Sequence, residues 1–444
     1  MKSKKKLYIY VLIWLIIAVT SIAIFIYNYF FRKVNEIQTM QQEVNIEQDN
    51  KNVEEEKKQE DINIKMSVIG DIMCHNSQYK DAYNSNTGEY DFSYVFEDIK
   101  QYVHTADIAV GNLETTFAGK ERGYSNYPRF NTPEKLAWNL KDFGIDVVST
   151  ANNHCMDTNY TGLVSTIKYL DEAGISHTGT NVSKEDQNKI LVKDVNGIRI
   201  AFLSFTYGTN GIPIPKDKDF AVNLIDENFM LEQIEFAKEQ EPDLICASMH
   251  WGIEYEKKQN SEQERLANFL FENGVDIILG SHPHVLQPME KKTITLENGD
   301  VKDVFVIYSL GNFMSGQTKE NTRDSIILNL NITKNGKTGK VSFDNIEYIP
   351  IYMYKSQTGT VHRYKILDIE KSITNYESGQ DVSIGQATYR LLKNELNKIK
   401  RTFGTGYFRG IAPEMPGFFA FCEKLPRKYP VPKVTTRNAF NAFP

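Results

Sequence analysis

Five short apolar runs in this chain each stop at a residue able to hold a metal ion or a proton, and that recurrence limits the folds open to it. Lys65–Ile69 runs into Gly70-Asp71, and Asp107–Val110 runs into Gly111-Asn112-Leu113-Glu114. Ile145–Thr150 runs into Ala151-Asn152-Asn153-His154, with Asp157 just beyond. Asp243–Met249 leads to His250-Trp251-Gly252-Ile253-Glu254, and Val275–Leu279 to Gly280-Ser281-His282-Pro283-His284. Runs this short, apolar and β-rich predict buried strands. Ligands of open α/β sheets bind beyond the carboxyl ends of the strands. Four of the eight histidines, His154, His250, His282 and His284, stand at these ends. Histidines with no shared task would be scattered.

Helical patterns alternate with the runs. They cover 133–143, 160–173, 227–240 and 261–273. The first has Thr132 as N-cap, Pro133 at its first position and Gly144 at its end, the usual start and stop residues. Asn196-Gly197 between alternating runs predicts a hairpin within 190–206. Further strands are expected at 303–309 and 325–351, the latter joined at Asn335-Gly336. The class is mixed α/β, with parallel crossovers and some hairpins. At 444 residues, one large domain with appendages is the natural division.

The first appendage is N-terminal. Leu7–Phe31 is 25 residues without a charge, preceded by Lys2, Lys4, Lys5 and Lys6. A helix of that length, at about 1.5 Å per residue, exceeds a hydrocarbon core of roughly 30 Å. The flanking lysines put the N-terminus in the cytoplasm and everything after Lys33 outside it. Tyr8, Tyr10, Tyr27 and Tyr29 suit the two interfaces. A cleaved signal peptide is the alternative, but its apolar core would be shorter. The expectation is an uncleaved, single-pass anchor in the cell membrane over 1–33.

Residues 34–62 carry nine acidic and three basic side chains and cannot bury a core. They are expected to form a solvated stalk with at most a short helical stretch. The globular domain is expected over 63–380. Residues 381–444 should form a basic helix, about 383–403, and then a tail rich in aromatic residues and proline. Six prolines in the last 32 residues favour an extended course. That tail is expected to dock on the domain, the membrane or a partner. A formal charge of −6 is not the footprint of a nucleic-acid-binding protein. Four cysteines make no disulfide framework. Cys74 and Cys155 are expected to be free and buried, with a bridge between them as the alternative.

The strand ends supply Asp71, Glu114, Asn153, His250, His282 and His284. Carboxylate, amide carbonyl and neutral imidazole together suit divalent ions such as Mn, Zn or Fe. Six ligands from five strand ends suit two ions better than one. Paired ions stand roughly 3.5–4 Å apart in sites of in-line displacement. His154 would then be free to act as a general acid or to bind a phosphoryl oxygen. Asp157 would orient it, as carboxylates commonly orient histidines.

Six motifs, in order, carry a resemblance. They are Gly70-Asp71-Ile72-Met73, Gly111-Asn112-Leu113-Glu114, Asn152-Asn153-His154 with Asp157, His250-Trp251-Gly252 with Glu254, Gly280-Ser281-His282-Pro283-His284-Val285 and Ser309-Leu310-Gly311-Asn312-Phe313. Together they resemble the bacterial capsule-synthesis protein family typified by CapA and PgsA. That family looks like a branch of the calcineurin-like metallophosphoesterases, which implies two packed mixed sheets flanked by helices. The resemblance implies that Asp71 and His284 serve a first metal, and His250 and His282 a second. It implies that Asn153 is the metal asparagine and His154 the catalytic histidine. Two positions depart from the superfamily pattern. Met73 stands where a histidine ligand is usual, so that His75 or water would have to complete the first site. Glu114 is the candidate bridging carboxylate. Glu254 and Asn312 fall in supporting or substrate-contacting positions. The family name implies a membrane-anchored protein that makes or exports an anionic polymer, poly-γ-glutamate, beside a membrane polymer synthetase. A cell-surface phosphoesterase acting on nucleotides, lipid phosphates or wall polymers is the second reading. A non-catalytic binding subunit is the third.

Overall fold

In the computed structural model the described residues are 2–57, 60–296, 299–356, 363–380, 384–403 and 407–408. The apolar runs become strands of two mixed sheets. The first has nine strands; its main path runs Tyr364–Asp368, Val341–Lys355, Asp324–Lys334, Ile62–Met73, Ile108–Leu113, Val147–Ser149, Ser176–Thr178. The last four of these are parallel, and the others pair antiparallel. Asn312–Ser315 adds a short parallel pairing to the carboxyl end of Ile62–Met73. The second sheet has six strands, in the order Met289–Thr295, Val301–Ile307, Ile277–Ser281, Leu244–His250, Ile198–Thr206, Leu191–Val195. Its four middle strands are parallel and both outer pairs antiparallel.

The sheets pack face to face. Val68, Val110 and Val147 from the first meet Ile200, Phe202, Cys246, Ile277 and Phe305 from the second in one core. The opposite faces are covered too. Ala109 and Val148 pack with Leu136, Leu140 and Leu170 of the helices Lys135–Phe143 and Asn159–Ala173. Ala201, Ala247 and Ile278 pack with Ile234, Leu266 and Leu270 of Glu227–Lys238 and Ser261–Glu272. Parallel strands buried on both faces read as unbroken apolar runs rather than alternating ones. That is why these runs stand out in the sequence. The expected α/β sandwich of two mixed sheets flanked by helices is the fold observed.

The helices lie where the pattern placed them, with one shift. Lys135–Phe143 starts two residues after Pro133, because Leu136 N–H donates to the Pro133 carbonyl at 3.0 Å and makes a tighter opening turn. The Asn196-Gly197 turn has φ of 53° and 96°, which suits a two-residue hairpin. The other hairpin is looser: its strands end at Lys334 and resume at Val341.

The N-terminal helix runs unbroken over Lys2–Lys57. Within it, Ile9–Gln42 is long and apolar enough to cross a membrane. The helix extends well past the short stretch expected of the acidic segment. Residues 34–57 contain no glycine or proline, and Gln, Glu and Lys propagate a helix well. At the other end, Gln386–Phe403 puts Leu392, Ile399 and Phe403 into the core between the sheets. The tail from 409 onward lies outside the described residues. Cys74 and Cys155 are free and buried.

Candidate metal centre

Strand register brings the chemistry to one edge. In the first sheet Asp71 lies beside Asn112, which lies beside Ser149. In the second sheet Thr206 lies beside His250, which lies beside Ser281. Glycine permits the tight approach at the last of these ends. A Cβ at Gly280 would sit 2.0 Å from the Tyr308 carbonyl oxygen. Just beyond it, His282 and His284 adopt φ of 97° and 57°. Side-chain-bearing residues held at positive φ store strain, and such strain gathers at functional sites.

The expected ligands converge. Glu114, His250 and His282 form one group and Asp71, Glu114 and His284 a second, with ligand atoms in each within 4.8 Å of one another. Glu114 belongs to both. Its Oε1 lies 3.6 Å from His250 Nε2 and 3.8 Å from His284 Nε2. Asn153 Oδ1 lies 2.9 Å from His250 Nε2. All of these side chains are buried.

His154 sits beside these groups with a different partner. Its Nδ1 is 2.7 Å from Asp157 Oδ2, which also accepts the Phe130 N–H at 2.6 Å. The Phe130 ring packs on the imidazole in a T-shaped arrangement, with 4.8 Å between centroids. Asn312 Oδ1 lies 3.1 Å from His284 Nδ1, so Asn312 steadies a ligand group. Glu254 is exposed and outside both groups. His75 is outside them as well. Its Nδ1 accepts the Gly316 N–H at 3.0 Å, an engagement set by the neighbouring loop. Met73 is buried at its strand end.

Several supporting residues had no role assigned from the sequence. Ser281 Oγ lies 2.9 Å from His250 Nδ1 and fixes that ring. The Asn112 amide donates to Asp71 Oδ1 at 2.9 Å and to Glu114 Oε2 at 3.5 Å. Asn152 donates to the Leu113 carbonyl and accepts the His154 N–H. These three stood inside recognised motifs, but each also bonds a partner far along the chain: His250, Asp71 and the Leu113 carbonyl. Tyr207 is different. Its ring lies 4.6 Å from that of His282 and stacks at 6.2 Å on His250. It follows the carboxyl end of Ile198–Thr206, a strand whose end carries no acid or histidine to draw notice.

The electrostatics favour a cation. Glu114 Oε1 and His282 Nδ1 are buried with no hydrogen-bond partner. Burial and then Asp71 push the Glu114 carboxyl well above its ordinary range. Burial, then His282 and His284, hold His250 well below the usual imidazole value. Burial and His284 bring His282 down to about 3. Neutral imidazole is the ligating form, and a bound cation removes the penalty on adjacent carboxylates. The donor set therefore fits divalent ions.

Two mixed sheets flanked by helices, with paired candidate ligand groups at one edge, define an α/β sandwich with a candidate metal centre. The family model for "Bacterial capsule synthesis protein PGA_cap" matches residues 65–317, and the chain belongs to that family. It is 31% identical over 290 residues to the "Capsule biosynthesis protein CapA" of Bacillus anthracis, covering 63% of this chain and 66% of that one. It is 30% identical over 300 residues to the "PGA biosynthesis protein CapA" of Bacillus subtilis (strain 168), covering 67% and 73%. Among solved structures, the calcineurin-like phosphoesterase YfkN from Bacillus subtilis aligns with a TM-score of 0.40 and 14% identity, over 75% of this chain and all of that one.

Proposed function

We propose that this protein is held in the cell membrane by its N-terminal helix, with its domain outside the cytoplasm, and serves the assembly or export of an anionic polymer of the poly-γ-glutamate type. Membership of the capsule-synthesis family supports the polymer, and the two relatives above are named for capsule and PGA biosynthesis. The exposed apolar helix over Ile9–Gln42, with lysines before it, supports the anchor and its orientation. A membrane polymer synthetase is the natural partner of such a domain.

The observation that carries the reading is Glu114 Oε1, a buried carboxylate oxygen without a partner, between His250 and His284. One or two divalent ions, of the Mn, Zn or Fe kind, would be held by Asp71, Glu114, Asn153, His250, His282 and His284. Bound ions of this kind act as Lewis acids and clamp the oxygens of an in-line displacement. Asp157 accepts the Nδ1 proton of His154 and leaves Nε2 to exchange a proton with the reacting group. The Phe130 ring packs against that imidazole, which is buried. Proton transfer by a positioned side chain contributes typically about 10²–10⁴-fold in rate.

A second reading, metal-dependent binding without turnover, is favoured by Met73. This thioether stands where the first ion would gain an imidazole, and His75 lies outside both ligand groups. Complementation of a polymer-deficient strain separates the two. His154→Ala should keep bound metal and folding yet abolish polymer, whereas His282→Ala should lose both metal and polymer. Normal polymer from the His154 variant, with none from the His282 variant, would leave the binding reading standing and remove the catalytic one.

A further inference from the structure

Near the centre lies a cavity of about 210 Å³ that the metal chemistry does not use. Its wall combines Val285 and Leu286, Asn321 and Asp324, Lys257, and Lys398, Arg401 and Thr402 of the C-terminal helix. Three of its four sides adjoin residues near His284. Val285 and Leu286 directly follow His284. Thr322, between Asn321 and Asp324, accepts the Asn312 amide at 3.0 Å, and Asn312 steadies His284. Lys257 follows Tyr255, whose ring lies 6.1 Å from that of His284.

The cations of this wall are unequally matched. Lys398 is occupied, 3.1 Å from Glu395 and 3.6 Å from Glu320. Lys257 and Arg401 have no carboxylate within ion-pair distance among the described residues. Basic residues in the last turn of a helix complement its dipole whether or not a ligand binds. That accounts for Arg401, and its carboxylate partners account for Lys398, but neither accounts for Lys257, which reaches the same cavity from an unrelated loop. Asp324 is the one acid of the wall. Burial and the neighbouring Glu395 push it up to about 7, while Lys398 and Lys257 act in the opposite direction.

We propose that this cavity is an oxyanion subsite, in which Lys257 and Arg401 take a carboxylate or phosphate group of the same polyanionic substrate that reaches the metal centre. The proposal deepens the polymer reading and rests on it for the length of the substrate. A chain of repeated anionic groups spans both sites, with one group at the ions and a later one between Lys257 and Arg401. Small monoanions gain nothing from the second site.

The test uses the full-length protein in detergent micelles and two probes, a γ-linked glutamate decamer and a linear polyphosphate. Binding is measured at two salt concentrations, and bound metal is counted in parallel. Lys257→Ala with Arg401→Ala should weaken decamer binding by roughly tenfold per cation removed, with a shallower salt dependence. Metal content should not change. Lys257→Arg with Arg401→Lys should restore binding. If the unmodified protein binds polyphosphate but not the decamer, and the alanine pair weakens that binding, the subsite stands and the polymer assignment falls. If the alanine pair binds as the unmodified protein does, whichever probe is bound, the subsite is wrong. Binding of neither probe by the unmodified protein would remove both.

Discussion

Glu114 illustrates a residue kept at a cost in stability. Its carboxylate is buried beside that of Asp71, and a single Asn112 amide serves both. Without a cation, two such groups repel and neither is well solvated. Glu114→Gln should therefore raise the melting temperature of the chelated protein while lowering its bound metal, as read by thermal unfolding and metal analysis. An unchanged metal count would mean that Glu114 is no ligand. Ser281 tests the layer behind the ligands. It aims His250 through Nδ1, so Ser281→Ala should weaken metal affinity by about 10–100-fold with the fold intact. Competition with a graded chelator would measure this, and affinity equal to that of the unmodified protein would refute the role. The sequence named the candidate ligands because carboxylates and imidazoles announce their chemistry. It passed over Ser281 and Tyr207 because hydroxyl and phenol side chains are common, and only their neighbours give these two a task.

At the level of elements, periodicity and end residues were sufficient to place the main helices and the first hairpin. Capping and turn chemistry are local, so a window of sequence contains them. The C-terminal helix shows where that window stops. Its pattern predicted a helix over about 383–403, and Gln386–Phe403 is one. What the pattern did not carry is its destination. Leu392, Ile399 and Phe403 enter the core shared by both sheets, with the Phe403 ring 5.5 Å from that of Tyr348. Ile399→Ala should therefore cost about 2–5 kcal/mol, the range of a buried large-to-small change. Denaturant unfolding would measure it. A loss below about 0.5 kcal/mol, as at a surface position, would show that the helix is an appendage.

On the scale of the whole molecule, the centre joins the two sheets. Asp71, Glu114 and Asn153 come from the first sheet or its loops, and His250, His282 and His284 from the second. An ion bound between them resists separation of the sheets as well as loss of a ligand. Chelation should lower the melting temperature of the domain, and restored metal should raise it. Free metal at a hundredfold above its dissociation constant stabilises by about 2.7 kcal/mol. The His282→Ala variant should be nearly insensitive to chelator. Equal melting with and without chelator in the unmodified protein would argue against any resident ion.

The sequence alone determined the five strands that lead to the site, the chemistry at their ends and the apolar N-terminal helix, but not the strands Ser176–Thr178, Met289–Thr295 or Tyr364–Asp368. Each feature it determined is written in a few consecutive residues, through side-chain period, turn preference and uninterrupted apolarity. The tertiary structure decided which ends meet. His284 and Asp71 are 213 residues apart, and no local pattern specifies their 3.2 Å contact. Sharing of Glu114 by two groups, the contact of His75 with Gly316 and the cation-lined cavity near His284 are likewise products of sheet register and packing. Register is fixed by burial of whole faces, a property of the assembled sheets that no single segment carries.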